Sequence, residues 1–271
     1  MPELPEVETT LRGIRPHLID QSVKAIIVRQ RQLRVPVSRG LKSKLKDQVV
    51  RNIERRAKYL LFHFDSGTLA IHLGMSGRLR VISASVPIDK HDHVDLLFNN
   101  GAQLRFRDPR RFGLVVWLGK RPLTSRWLAH LGPEPLSDNF DGDYLYSRAA
   151  NRRGAVKNFI MDGRIVVGVG NIYASEALHH AHIHPARGAG RISRHRYDDL
   201  CVAIKGVLAR AIDAGGTTLR DYVSADGVPG FFEQQLAVYG REGAPCTLCS
   251  APIRRRVIGQ RSSFFCAQCQ R

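Results

Sequence analysis

The sequence has no apolar run near the roughly 18 residues that a membrane-spanning helix needs. It also has no basic segment followed by an apolar one at its start, as a signal peptide would. We therefore expect a cytoplasmic protein without a membrane partner. Acidic residues are scarce, because 24 Asp and Glu stand against 42 Lys and Arg, for a net charge of +18 and a pI near 10.4. This excess predicts that the partner is nucleic acid, and hence a nucleoid association.

Cysteine is also sparse, and its placement excludes a disulfide framework spread over a secreted domain. Four of the five cysteines lie in the last 26 residues, as Cys246-x2-Cys249 and Cys266-x2-Cys269 with sixteen residues between the two pairs. This spacing is typical of two zinc knuckles joined by a hairpin. It predicts one structural Zn²⁺ held by four thiolates, with no open position for catalysis. Cys201 is expected to be a small buried residue of a helix.

The glycine-rich segment 167–172 lacks the G-x-G-x-x-G spacing of a dinucleotide loop and an acidic residue about 20 positions further on. We therefore expect no nucleotide cofactor. The segment instead predicts a turn before a helix whose backbone amides can hold a phosphate. Asn171 is expected to cap that helix, with DNA contact as the alternative.

The hydrophobic pattern divides the chain into four regions. Helical spacing of Val7, Leu11, Ile14 and Leu18 predicts a helix from about residue 5 to 15 that ends near Pro16. Short strands with turn residues between them then predict a sandwich or barrel. The predicted strands are 23–28, 59–64, 68–73, 93–98, 103–106 and 114–118. We expect a first domain at 1–133, a linker at 134–150, a mostly helical domain at 151–240 and a zinc finger at 241–271.

The first residues carry a possible nucleophile. If Met1 is removed, Pro2 has a secondary amine that titrates near pH 8, so a useful fraction is unprotonated at neutral pH. Its attack on an aldehyde-level carbon gives a cationic iminium, which is an electron sink suited to elimination. Glu3 is close enough to act as general acid or base. Taken alone, the segment is more simply a helix start, with Pro in the first turn and acids near the positive end of the dipole.

Other short motifs have two interpretations each. Arg107–Gly113 places arginines beside an aromatic residue in a turn, which suits either insertion into a duplex or a solvated loop. Met75, in the small turn 73–78, is by default core filler. His91-Asp92-His93 lacks a third metal ligand nearby, so we favour phosphate contact or a structural hydrogen bond. Lys58 alone is a surface lysine.

All these motifs occur together, in one order, along nearly the whole chain. They are Pro2-Glu3-Leu4-Pro5-Glu6-Val7-Glu8-Thr9, Arg56-Ala57-Lys58-Tyr59-Leu60, His72-Leu73-Gly74-Met75-Ser76-Gly77, Asp108-Pro109-Arg110-Arg111-Phe112-Gly113, Gly168-Val169-Gly170-Asn171-Ile172-Tyr173-Ala174-Ser175-Glu176, and the four-cysteine finger with Gln260-Arg261. In this combination the chain resembles the bacterial formamidopyrimidine-DNA glycosylase family. The related endonuclease VIII branch typically has Gly at the position of Leu4, so the resemblance is to the oxidised-purine branch.

The resemblance implies an α+β multidomain fold: an N-terminal β-sandwich with flanking helices, a helix–two-turn–helix domain and a C-terminal four-cysteine zinc finger. It implies a monomer that binds damaged double-stranded DNA in a basic cleft between two lobes and flips the damaged nucleotide out of the stack. The implied activity is removal of oxidised purines such as 8-oxoguanine, followed by β,δ-elimination that leaves a one-nucleotide gap. The resemblance also implies a metal-free catalytic site, with zinc in a structural role only.

Site residues carry over position by position. The implied catalytic residues are Pro2, Glu3, Lys58 and Arg261, where Arg261 grips the phosphates that flank the lesion. Met75, Arg110 and Phe112 match the residues that fill the space left by the flipped nucleotide, with Arg110 facing the orphaned cytosine. The remaining DNA contacts implied are His72, His91, Arg152, Lys157 and Asn171. The segment 217–222 and the glycine-rich loop after it match the part that folds over the flipped base. An endonuclease VIII-like enzyme for oxidised pyrimidines and a non-catalytic zinc-finger DNA-binding protein are the alternatives.

Overall fold

The computed structural model describes residues 2–83, 85–217 and 232–271. They form two compact units, one of residues up to 130 with 214–217, the other of 131–213 with 232–271. No helix in these ranges has the length and apolar character needed to cross a membrane.

The first unit is a sandwich of two four-stranded antiparallel sheets. One sheet has the order β1-β6-β7-β5, formed by Val23–Val28, Asp92–Phe98, Gln103–Arg107 and Arg78–Ile82. The other has the order β2-β3-β4-β8, formed by Asn52–Arg56, Tyr59–Phe64, Gly67–His72 and Leu114–Gly119. One continuous core contains Leu96 and Phe106 of the first sheet and Phe62 and Val115 of the second. The predicted sandwich is therefore confirmed, and all six predicted strands are present to within a residue at each end.

Two helices flank the sandwich, α1 at Leu4–Leu18 and α2 at Leu41–Leu45. The apolar stripe of α1 enters the sandwich core through Val7, Ile14 and Leu18. The predicted end near Pro16 is wrong, because α1 runs through Pro16 to Leu18. Pro16 lacks only one N–H, and full burial of Leu18 holds the last turn in place.

The second unit contains four helices and a hairpin. The helices are α3 at Gly142–Ala149, α4 at Val156–Met161, α5 at Asn171–His180 and α6 at Arg194–Asp213, and the hairpin is β9 at Arg254–Ile258 with β10 at Arg261–Phe265. Helix α6 packs against both α3 and α5, and β10 packs against α5. Helix α3 lies in the segment that the sequence predicts as a linker; Asp141 caps it by accepting the Tyr144 N–H at 2.7 Å. Cys201 is buried in α6, as predicted.

Candidate active site

The backbone just ahead of α1 is fixed by one carboxylate. Pro2 is buried directly ahead of α1, and Glu3 is 1% exposed. Glu6, also buried, accepts the Glu3 N–H through Oε2 at 2.8 Å and the Thr217 N–H through Oε1 at 2.9 Å. Gly216 makes this approach possible, since a Cβ there would lie 3.2 Å from Glu6 Oε1 and its φ is +84°. The sequence analysis did not assign Glu6 a role; its signal was an acid at the third helical position, where it can bond back to the helix start.

The turn that carries Lys58 is tied to α1. Ala57 and Lys58 form the two-residue connection between β2 and β3, with Ala57 at φ +56°. Arg55 donates from Nη1 to the Ala57 carbonyl at 3.0 Å and from Nε to Glu8 Oε2 at 2.9 Å. Because Glu8 belongs to α1, this chain of bonds sets the position of Lys58 relative to the helix that bears the N-terminus.

His72 is a neutral group at the end of β4. Its Nδ1 accepts the Gly74 N–H at 2.9 Å, so a ring proton can sit only on Nε2. Burial lowers its pKa to about 3, with the nearby charges of Lys58 and Arg34 acting in the same direction. His72 therefore cannot neutralise a phosphate at physiological pH, but it can donate one hydrogen bond.

Asp108 joins the two turns that carry the predicted void-filling residues. Its Oδ1 accepts the Ser76 hydroxyl and its Oδ2 accepts the Gly113 N–H, both at 2.7 Å, and the side chain is fully buried. Ser76 Oγ in turn accepts the Arg110 N–H at 3.1 Å. A Cβ on Gly74 would lie 2.4 Å from the Phe112 backbone, so only glycine lets the turns come this close.

These turns present exposed side chains. Phe112 is 43% exposed, and the Arg110 guanidinium stacks 4.9 Å from the centre of its ring. Met75 is half-buried in the neighbouring turn. His91 lies beside them, because its carbonyl accepts the Asp108 N–H at 3.0 Å. An exposed aromatic ring and cation on a rigid turn are suited to insertion between bases.

His93 is buried and donates from Nε2 to the Asp108 carbonyl at 2.8 Å. The structural hydrogen bond favoured for the His91-Asp92-His93 motif is therefore present.

In the second unit Lys157 is a fully buried lysine that joins three segments. Its Nζ donates to Asn171 Oδ1 and Ser263 Oγ, both at 2.6 Å, and to the Ser262 carbonyl at 3.2 Å. The start of α5 and the zinc hairpin are therefore held on one ammonium group. Asn171 Nδ2 also donates to the Ser262 carbonyl at 3.1 Å.

The expectation that Asn171 caps α5 is wrong. Gly170 occupies the N-cap position without a side-chain bond, and Asn171 is the first helical residue. Its amide is engaged by Lys157 and the hairpin instead. Arg261 is exposed at the start of β10, and Arg152 is exposed in the loop between α3 and α4.

The four cysteines form a compact cluster. Their sulfur atoms all lie within 4.8 Å of one another, with Cys246–Cys269 at 3.9 Å and Cys249–Cys266 at 3.5 Å. Four Zn–S bonds of about 2.3 Å in a tetrahedron place sulfurs about 3.8 Å apart. The thiolates therefore fit one structural zinc ion, and all four positions of a tetrahedral ion are filled by protein.

Two buried side chains of α5 support this cluster. His179 Nε2 lies 3.6 Å from the sulfur of Cys246. Glu176 accepts the N–H groups of Ala237, Val238 and Tyr239 at 2.8 to 3.0 Å, and burial raises its pKa. The sequence analysis missed both roles, because neither side chain follows a metal-ligand spacing.

The segment expected to fold over a flipped base lies outside the described residues, apart from Thr217.

Comparisons with known proteins cover most of the chain. Residues 1–115 match the family described as formamidopyrimidine-DNA glycosylase N-terminal domain. Residues 131–223 match the formamidopyrimidine-DNA glycosylase H2TH domain, and residues 243–271 match the zinc finger found in FPG and IleRS. The formamidopyrimidine-DNA glycosylases of Syntrophotalea carbinolica and Alcanivorax borkumensis are each 58% identical to the chain, over 100% of both proteins.

Solved structures give the same result. The Fpg protein of Thermus thermophilus is 37% identical with a TM-score of 0.89, over 99% of this chain and 98% of that one. Lactococcus lactis Fpg in complex with DNA containing an abasic site is 32% identical with a TM-score of 0.92, over 99% of both chains. These matches confirm the resemblance and the three-part fold. The chain belongs to the formamidopyrimidine-DNA glycosylase family.

Proposed function

We propose that the chain is a bifunctional DNA glycosylase and lyase of base excision repair that removes oxidised purines from duplex DNA. The observation that carries the proposal is the buried Pro2-Glu3 terminus, held by Glu6, in a chain that matches this family along its whole length. With Met1 removed, Pro2 carries the N-terminal amine, and a binding-only protein has no need of one held in a fixed position.

Pro2 is the proposed nucleophile. Its nitrogen forms a bond to the sugar C1′, the bond from C1′ to the base breaks, and the electron pair leaves with the base. The nitrogen then loses its one proton, the C1′–O4′ bond breaks as Glu3 donates a proton to O4′, and the nitrogen lone pair forms a C1′=N bond. Because a secondary amine has no second proton to lose, this product is an iminium cation. That cation accepts the electrons released when a proton leaves C2′, so the 3′-phosphate departs by β-elimination. A second elimination releases the 5′-phosphate, and Glu3 handles the proton at the sugar.

Lys58 and Arg261 supply positive charge in this proposal. Lys58 has a role in proton transfer and in phosphate or base contact, and the bonds from Arg55 support a fixed position for it. Arg261 grips the phosphates beside the lesion from the exposed tip of the zinc hairpin. Lys157, Asn171 and Arg152 line the phosphate track. Since Lys157 Nζ already has three bonds, its part is to orient Asn171 and the hairpin as well as to supply charge.

Lesion recognition requires the base to leave the stack. Met75, Arg110 and Phe112 fill the space that it vacates, with Arg110 facing the orphaned cytosine. The bonds from Asp108 to both turns support this role, because a wedge must be rigid to unstack base pairs. His91 contacts DNA beside the same turns, and His72 donates a hydrogen bond as a neutral group.

Zinc, when bound, folds the hairpin and takes no part in the chemistry. Cytoplasmic localisation, association with the nucleoid and a monomeric state complete the proposal. The net charge of +18 supports the nucleoid association.

Borohydride trapping tests the nucleophile directly. The full-length protein is mixed with a duplex that carries one 8-oxoguanine opposite cytosine, reduced, and digested for peptide mass spectrometry. We expect one covalent adduct, at Pro2. An adduct at Lys58 would keep the enzyme class and overturn the role of Pro2, whereas no adduct with intact DNA binding would overturn the lyase mechanism.

A second duplex tests the substrate class. We expect the protein to cleave a duplex that carries 8-oxoguanine opposite cytosine faster than a matched duplex that carries thymine glycol. If thymine glycol were the better substrate by a wide margin, the endonuclease VIII-like alternative would replace the proposal.

A further inference from the structure

A cavity of about 460 Å³ lies on the first unit, at a place that shares no residue with the proposed catalytic or DNA-binding set. Its polar lining consists of Arg78 and Arg80 of β5, Arg105 and Arg107 of β7, and Asp89 and Asp92. Its volume falls within the range of small-molecule sites, about 300–1,000 Å³. Leu79, Leu104 and Phe106, which alternate with these arginines, belong to the core, so the cavity is on the outer face of the sheet.

The strand register places like charges opposite one another. Arg78 pairs with Arg107 and Arg80 pairs with Arg105 on this face. Like charges directly opposite destabilise a sheet. The two aspartates both contact β7: Asp92 lies 3.3 Å from Arg105 and 3.8 Å from Arg107, and Asp89 lies 3.1 Å from Arg107.

The four arginines and two carboxylates that line the cavity give it a formal charge of +2. Arg105 also bonds the buried Asp95 at 3.2 Å, and Arg29 pairs with the same carboxylate at 2.6 Å, so this further pair leaves the balance unchanged. Arginine stays protonated at any physiological pH. The pKa of Asp89 is lowered by its bonds from the His91 N–H and from Arg107, so this carboxylate keeps its negative charge. A bound dianion would neutralise the lining.

Arg105 builds the wall of the cavity. It is 8% exposed and donates from Nη1 to the carbonyls of Pro87 at 2.9 Å and Val86 at 3.3 Å. These bonds hold the 86–87 segment over the sheet, so the cavity exists before a ligand enters. The side chain of Arg107 is 36% exposed, so a ligand in the cavity can reach it.

The rim of the cavity is apolar. Ile82, Val86, Pro87 and Ile88 complete the lining, and Ile88 and Val86 are 61% and 41% exposed. Apolar side chains at the mouth of a site can bury the flat or apolar part of a ligand whose anion lies on the arginines.

We propose that this cavity binds a phosphate monoester that carries an apolar or aromatic body, the chemistry of a nucleotide. The phosphate dianion lies between the arginines of β5 and β7, where planar guanidinium groups bond phosphate oxygens in pairs. The body packs on Val86 and Ile88. Two sources have this chemistry, a free mononucleotide and the phosphorylated end of a cut DNA strand. The proposal does not depend on the glycosylase activity.

Titration calorimetry on the zinc-loaded full chain tests the site, with thymidine 5′-monophosphate, thymidine and inorganic phosphate as probes. We expect the monophosphate to bind one per chain and Arg78→Gln to weaken it about tenfold or more, the loss of a charge-assisted hydrogen bond. Arg121→Gln is the matched control, because Arg121 is an exposed arginine of the same unit outside the cavity. It is expected to leave the affinity unchanged.

A second variant tests the apolar contact separately from the phosphate contact. It also remains informative if a change at Arg78 disturbs folding. Ile88→Ser alters an exposed side chain, and we expect it to weaken the monophosphate several-fold while leaving inorganic phosphate unaffected. Equal affinity of the native chain for inorganic phosphate and the monophosphate would overturn the apolar half of the proposal.

Failure of the monophosphate to bind at millimolar concentration, or equal effects of Arg78→Gln and Arg121→Gln, would overturn the site itself. The source is distinguished by a 3′-phosphorylated trithymidylate. If Arg78→Gln weakens the trinucleotide more than the mononucleotide, the strand end is the ligand; the reverse order assigns the site to free nucleotides.

Discussion

Asp108→Asn removes the charge that joins the two turns of the proposed wedge. The carboxylate accepts two hydrogen bonds, from Ser76 and Gly113, both at 2.7 Å in a fully buried position. A hydrogen bond to a charged group contributes about 1.5–3 kcal/mol. Asparagine keeps one acceptor and turns the other into a donor, so we expect the first unit to lose about 2 kcal/mol. The native margin of about 5–15 kcal/mol leaves the variant folded.

The loss of stability in the first unit can be measured within the full-length protein. Both tryptophans of the chain, Trp117 and Trp127, lie in that unit, so their fluorescence in a denaturant titration reports its unfolding. Asp65→Asn is the matched control, because Asp65 is 65% exposed in a surface ion pair with Arg51, which water screens, so its loss should hardly change stability.

The same variant is expected to slow single-turnover excision of 8-oxoguanine more than tenfold, about 1.4 kcal/mol of barrier. We expect this slowing because Ser76 also accepts the Arg110 N–H, so a less firmly held Ser76 lets the turn that carries Arg110 move. A double-mutant cycle of Ser76→Ala with Asp108→Asn should give a coupling of about 1–2 kcal/mol. A coupling within the ~0.5 kcal/mol typical of independent sites, together with unchanged excision, would refute the bracing role.

Four further outcomes are expected. Arg55→Met should slow strand cleavage about tenfold by releasing the turn of Lys58, whereas Arg12→Met, on the exposed side of the same carboxylate, should not; quenched-flow assays compare them. Cys249→Ser should lower zinc from one per chain to near zero and abolish DNA binding with tryptophan fluorescence unchanged; unaltered affinity would exclude the finger from DNA binding. His72→Asn should reduce the loss of stability on acidification from pH 6.5 towards 3, by up to about 1.4 kcal/mol per pH unit, because the unfolded chain takes up a proton that His72 of the folded chain does not; equal slopes in acid titrations of the two proteins would contradict this. DNA affinity should fall steeply with salt, and a flat dependence would exclude phosphate contacts as its main source.

Sequence alone predicted those parts of the fold whose signals are local. Alternation and turn residues located six strands, and cysteine spacing located the zinc cluster. It missed β2 and β5, whose apolar residues are interrupted by charged ones, because their pairing is decided by the neighbouring strands. The domain boundaries and the role of each site residue stay predictions.

Contacts between distant residues were beyond such patterns. No spacing rule links Asp108 to Ser76, or Lys157 to Ser263, since in each case the chain travels far before the two side chains meet. Asn171 is an example: its position in the sequence favoured helix capping, but its side-chain amide accepts a hydrogen bond from the buried Lys157 instead.

An N-terminal nucleophile has to overcome the disorder that is usual at a chain end. Ordering the backbone of one residue costs about 1–2 kcal/mol in entropy. If substrate binding had to order the chain end, that free energy would no longer be available to stabilise the transition state. Here α1 begins two residues after Pro2, and its stripe of Val7, Ile14 and Leu18 lies in the sandwich core. Glu6 then fixes the backbone ahead of the helix. The ordering is thus complete when the sandwich folds, so substitutions that loosen the α1 packing should reduce Pro2 trapping before they unfold the protein.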